Sequence, residues 1–102
     1  MAIEFRVDNP EEFENMITNG DIRINKALVK TVLKNLKSKK RHHHALSVIC
    51  INDGEIYDVT IDKKDFQHTL ETALSKYENE ELYEDCSKIV NAIAYLKKQK
   101  KK

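Results

Sequence analysis

The sequence predicts an α+β domain of order β-α-α-β-β-α-α. Its three-stranded, largely antiparallel sheet is packed by helices, and the chain closes on a helical hairpin. Three observations carry this. Ile3, Phe5 and Val7 alternate with Glu4 and Arg6, the period of a half-buried strand. Two β-rich runs flank Asp53-Gly54, a hairpin signal. Apolar residues recur at spacings of three and four along 28–36, 66–77 and 82–96, as amphipathic helices require.

The elements follow in order. Asn9-Pro10-Glu11-Glu12 opens a short helix, with Asn9 as cap, Pro10 at the first helical position and Glu12 completing a capping box. Phe13, Met16 and Ile17 share its apolar face, and Gly20 stops it. A second helix starts near Asp21 or Asn25 and runs to about Lys39, burying Leu28, Val29, Val32, Leu33 and Leu36. A two-residue type I′ turn at Asp53-Gly54 pairs Ile51 with Ile56, Cys50 with Tyr57, Val48 with Val59 and Leu46 with Ile61. That register puts Leu46, Val48, Cys50, Tyr57, Val59 and Ile61 on the core face. Asp62 caps a third helix with stripe Phe66, Leu70, Ala73, Leu74 and Tyr77. Asn79 caps a fourth with stripe Leu82, Cys86, Ile89, Val90, Ile93 and Leu96. A link of two or three residues between them makes the last two helices antiparallel. Residues 1–96 form a single domain, and 97–102 a basic frayed tail.

Composition bounds the function. The chain has 102 residues, enough for one small domain. No apolar run approaches the roughly 20 residues of a membrane span. The N-terminus has neither the basic nor the apolar region of a signal peptide. Cys50 and Cys86 fall in apolar patterns without metal-like spacing, so both are expected reduced and buried, in a cytoplasmic protein. The formal charge of +1 hides segregation. Residues 1–22 carry six acids against Arg6, residues 23–44 carry eight bases and no acid, and residues 53–85 carry eleven acids against three bases.

The basic stretch is the sharpest feature. Arg23, Lys26, Lys30, Lys34 and Lys37 fall within a sector of roughly 80° on one helix face. Lys39, Lys40, Arg41, His42, His43 and His44 follow. Cations on one face contact successive phosphates or one compact anion. Arg23 and Arg41 offer bidentate forks, and the histidines add donors that respond to pH. The expected phosphate-binding set is Arg23, Lys26, Lys30, Lys34, Lys37, Lys40, Arg41, His42 and His44. The plain alternative is a solvated face, although surfaces built for solubility mix signs.

Other chemistry finds little support. His42 and His44 share a strand face, but two ligands do not make a metal site. With two glycines, no phosphate-cradling loop can be assembled, and no Ser/His/Asp order appears. His68 is expected on the surface, and Tyr77, Tyr83 and Tyr95 in packing roles. The expectation is a non-enzyme without metal or cofactor. Ile49, Ile51 and Ile56 make the other sheet face apolar near the turn, so a second subunit is expected to cover them.

The segment Tyr83-Glu84-Asp85-Cys86-Ser87-Lys88-Ile89, followed by Ile93 and Leu96, resembles the second helix of UVR motifs. These are short helical hairpins of excision-repair nuclease subunits and some protease adaptors. The resemblance spans residues 66–97, and Val90, Asn91 and Ala92 depart from its pattern. It implies a protein-docking hairpin. In size, lysine bias and lack of catalytic motifs the chain is similar to accessory proteins of phages or prophages. The expected function is therefore a homo-oligomeric binding or regulatory protein that holds, and in one version sequesters, a phosphate-bearing ligand, either a signalling nucleotide or nucleic acid. The alternative is an interaction module or inhibitor whose acidic hairpin docks a host protein.

Overall fold

A computed structural model describes residues 3–100. β1 (Ile3–Val7) is followed by α1 (Pro10–Thr18), α2 (Ile22–Lys34), β2 (His42–Cys50), β3 (Glu55–Asp62), α3 (Phe66–Asn79) and α4 (Tyr83–Lys100). The α+β class and the order β-α-α-β-β-α-α are as expected. The strand order is β1-β2-β3. β1 runs parallel to β2, and β2 antiparallel to β3, so the sheet is mixed.

Local chemistry accounts for most boundaries. The Asn9 side chain accepts the Glu12 N–H at 3.0 Å, and the Glu12 carboxylate accepts the Asp8 N–H at 2.8 Å. Gly20 leaves α1 at φ +66°, a conformation that favours glycine. Asp21 caps α2 by accepting the Arg23 N–H at 2.9 Å. That helix stops at Lys34, short of the expected Lys39. The Asn35 N–H bonds the Val32 carbonyl three residues back, and its side chain donates to the Thr31 carbonyl at 2.8 Å. These tightened bonds close the last turn.

Two expected caps move. Asp62 accepts the Lys64 N–H at 3.0 Å and so caps a short 3-10 turn, Lys63–Asp65, that precedes α3. Asn79 is the last residue of α3, and residues 80–82 link it to α4. The tail expected to fray after Leu96 is helical as far as Lys100. Residues 101 and 102 lie outside the described residues.

The hairpin register differs from the expected one. Cys50 pairs with Glu55, Ile49 with Ile56, Val48 with Tyr57 and Leu46 with Val59. A type I′ turn needs positive φ at both central residues. Here Gly54 has φ +68° and Asp53 does not share it. Residues 51–54 form a four-residue turn instead, in which the Gly54 N–H meets the Cys50 carbonyl at 2.8 Å. The shift is two residues, so the facing set survives. Tyr57 is the exception in burial: it shares that face but is 44% exposed, whereas Ile61 on the same strand is 6% exposed.

A bulge interrupts β2 between His44 and Leu46. Ala45 and Leu46 are both buried, so the alternation changes phase there. Upstream of the bulge His43 turns into the core and His44 outward.

Two buried clusters meet at α2. One lies among α2, α3 and α4, where Val32, Phe66, Leu70 and Ile89 are fully buried. The other lies between the sheet and α1 with α2, around Val7, Ile24, Ala27, Leu46, Val48 and Cys50. Each large apolar side chain so buried contributes about 1.5–3 kcal/mol. Val90 leaves the expected α4 stripe and stands half exposed. Among the described residues no helix is long and apolar enough to cross a membrane.

Candidate anion-binding site

The last turns of α2 and the first residues of β2 enclose a cleft of about 320 Å³. Lys30, Thr31, Lys34 and Asn35 line it from the helix, His43, His44 and Ala45 from β2, and Ile3 from β1. Helical periodicity puts Lys30 and Lys34 one above the other on the same face. Both are exposed, and among the described residues neither has a carboxylate within ion-pair distance. The α2 C-terminus contributes about half a negative charge, which two ammonium groups outweigh.

His43 and His44 reach the cleft from opposite faces of the strand by ordinary alternation, and the bulge at Ala45 sets the phase in which His43 is the inward one. His43 is buried, its ring tilted against Phe66 at 5.4 Å between centroids. Its Nε2 lies 3.0 Å from the Lys40 carbonyl, so Nε2 is the donor. His44 Nε2 lies 3.0 Å from Ser47 Oγ and 3.3 Å from an Asp58 oxygen.

Ser47, His44 and Asp58 thus meet on the open sheet face, a grouping the linear order did not reveal. Their bonding is not that of a nucleophilic triad. Ser47 Oγ donates to Asp58 at 2.7 Å, so its proton is held by the carboxylate and not by the imidazole. The hydroxyl of Ser47, with His44, holds the Asp58 carboxyl below the usual carboxylate range.

The remaining expected residues scatter. Arg23 lies at the other end of α2, about 16 Å along the axis from Lys34. Asp21 grips its guanidinium at 3.1 and 2.8 Å, and the Asp21 carboxyl is lowered by that bond. Arg41 donates to Asp62 at 3.0 Å, with His42 Nδ1 3.9 Å from the same oxygen. The Asp62 carboxyl is lowered by the Lys64 N–H and then by Arg41. Asp21 therefore holds the Arg23 fork at two nitrogens, while Asp62 holds Arg41 at Nε. Lys26 lines a neighbouring cleft with Lys30, Asp85 and Lys88, while Lys37 and Lys40 line neither. Of the nine expected residues, Lys30, Lys34 and His44 converge. His43, Thr31 and Asn35 join them, and of these only His43 lay within a run the sequence marked.

Cys50 and Cys86 are free and buried, and burial raises both thiols. Tyr77 is buried, which pushes its hydroxyl up to about 12. Ile51 and Ile56 are 60% and 65% exposed, Ile49 is partly buried, and Ile51 belongs to the turn, not the strand. Among the described residues no group of three or more His, Cys, Asp or Glu is placed to hold a metal ion. Fold and cleft define a small α+β domain with a cationic cleft beside its sheet. No family model, curated protein or solved structure matches the chain.

Proposed function

We propose that this chain is a non-enzymatic binding protein that takes a small phosphate-bearing ligand, of the signalling-nucleotide kind, between α2 and β2. One observation carries this: Lys30 and Lys34 line one cleft with no carboxylate at ion-pair distance among the described residues, while Arg23, Arg41 and His44 each have one. The cleft volume lies at the small end of the range for small-molecule sites, which favours a compact ligand over a duplex. Two lysines supply charge and donors for a phosphate, and Ile3 and Ala45 supply apolar wall. A cytoplasmic setting accords with two free, buried thiols. Self-association belongs to the same proposal, because the exposed Ile51 and Ile56 are side chains a second subunit would cover.

The test is a melting-temperature screen with mononucleotides, cyclic nucleotides and short RNA and DNA at about 50 mM salt. A nucleotide is expected to raise the melting temperature, and Lys30→Glu with Lys34→Glu to abolish the rise. If no nucleotide shifts the native chain, the small-ligand proposal is dead. A steeply salt-dependent response to RNA or DNA alone replaces it with nucleic-acid binding.

A second reading draws on α4. Tyr83 and Val90, seven residues apart on one helix face, are 64% and 50% exposed beside the acidic turn at Glu80 and Glu81. That surface suits docking to another protein. It predicts that Tyr83→Ala abolishes function while the Lys30 and Lys34 variants retain it.

A further inference from the structure

We infer that a second copy of this chain pairs with the outer edge of β1, antiparallel and centred on Phe5. The strand order leaves β1 at an edge of the sheet. The Val7 carbonyl accepts the Ile51 N–H at 2.9 Å, so Val7 directs its main-chain groups toward β2. Main-chain direction alternates along a strand, so Glu4 and Arg6 direct theirs outward. A two-fold axis at Phe5 sets Glu4 opposite the partner's Arg6, and Arg6 opposite the partner's Glu4. Both become hydrogen-bonded pairs that exchange two main-chain bonds each.

The side chains agree with the main chain. Glu4 and Arg6 are exposed and lie on the open face, while Ile3, Phe5 and Val7 face the helices. The register centred on Phe5 therefore matches opposite charges across both pairs. A slip by two residues sets Glu4 against Glu4 or Arg6 against Arg6, and a slip by one mismatches the faces. Phe5, only partly buried, meets the partner's Phe5 in the close, non-bonded position. The other edge, β3, carries Glu55, Asp58 and Asp62 and no base, so its self-pairing brings only acids together. Joined at β1, two copies form one six-stranded sheet, and because Ile3 lines the cleft, a cleft lies on each side of the seam.

The inference shares self-association with the proposed function but seats the partner at the β1 edge, away from Ile56 on β3, and it does not rest on the ligand. Sedimentation equilibrium of the full chain tests it at about 100 µM, above the micromolar constants of modest interfaces. The native chain is expected to be dimeric. Glu4→Arg and Arg6→Glu, both at exposed positions, are each expected to weaken the dimer by about tenfold or more. Mixed in equal amounts, the two variants restore both opposite-charge pairs and are expected to form a heterodimer. A monomeric native chain overturns self-association and this surface together. A native dimer that both variants leave intact overturns the β1 surface and leaves self-association standing. Variants that are monomeric alone and stay monomeric when mixed also overturn the pairing.

Discussion

The two faces of the β2–β3 hairpin alternate along each strand, yet they live in different media. On the covered face Leu46, Val48 and Cys50 are at most 1% exposed, beneath α1 and α2. On the open face Ser47 is buried and Ile49 partly buried on β2, while Ile56 of β3 stands 65% exposed. Apolar side chains occur on both faces, so hydrophobicity alone does not decide burial; a packed helix does. His43 and His44 show the contrast in consecutive residues. The first is buried against Phe66, and the second binds Ser47 and Asp58 in the open. The bulge between them and Leu46 shifts the phase of the strand, so that His43 and not His44 shares the covered side with Leu46.

The largest effect that sharpens this contrast is at the covered face. Leu46→Ala is expected to cost about 2–5 kcal/mol, read from urea unfolding, because it leaves a cavity where the native side chain is fully buried. A cost below about 1 kcal/mol would show that this face is loosely packed. The histidine pair comes next. His43→Ala removes a core ring and its bond to the Lys40 carbonyl, and is expected to cost about 1–3 kcal/mol. His44→Ala is expected to change stability by less than about 0.5 kcal/mol. Equal costs for the two would break the assignment of opposite faces.

A smaller effect concerns pH. The Asp58 carboxyl is lowered in the fold from its usual 3.8 by Ser47 and His44. A lowered carboxylate contributes stability that is complete above its unfolded value and is lost as pH falls through its folded value. The stability difference between the native chain and Asp58→Asn, followed by denaturation between about pH 6 and pH 2, is therefore expected to shrink below about pH 4. A difference that stays constant to pH 2 would show that the Ser47–Asp58 bond does not persist in solution. The smallest effect on the single chain is Ile56→Thr, expected to change the unfolding free energy by at most about 0.5 kcal/mol at concentrations where the chain is monomeric. A loss that grows with protein concentration would show that a second subunit covers this face.

Much of the fold was legible in the residues because its signals are local. Asn9, Pro10 and Glu12 form their cap within four positions, and Gly20 takes the positive φ that ends α1. The stripe Phe66, Leu70, Ala73 and Tyr77 reaches its core because helical spacing needs no knowledge of the partner. The hairpin was legible in existence but not in register, since Asp53 keeps negative φ and the turn takes two more residues. The site was legible only in part. The run of eight bases without an acid is real along the chain, yet Asp21 and Asp62 close on its two terminal arginines. Nothing in a linear charge count shows that Asp62, 21 residues from Arg41, lies beside it.

By itself the sequence determined the element order, the cap of α1 and most of the amphipathic faces, because these depend on contacts between near neighbours. It also determined that Lys30 and Lys34 share a face, because four residues make about one helical turn. The tertiary structure alone decided three things: the parallel place of β1 at the edge, the bulge at Ala45, and which cations pair with a carboxylate. Each depends on groups far apart in the chain. Strand order, phase and ion pairing are set by what the fold brings into contact, and no local period encodes it.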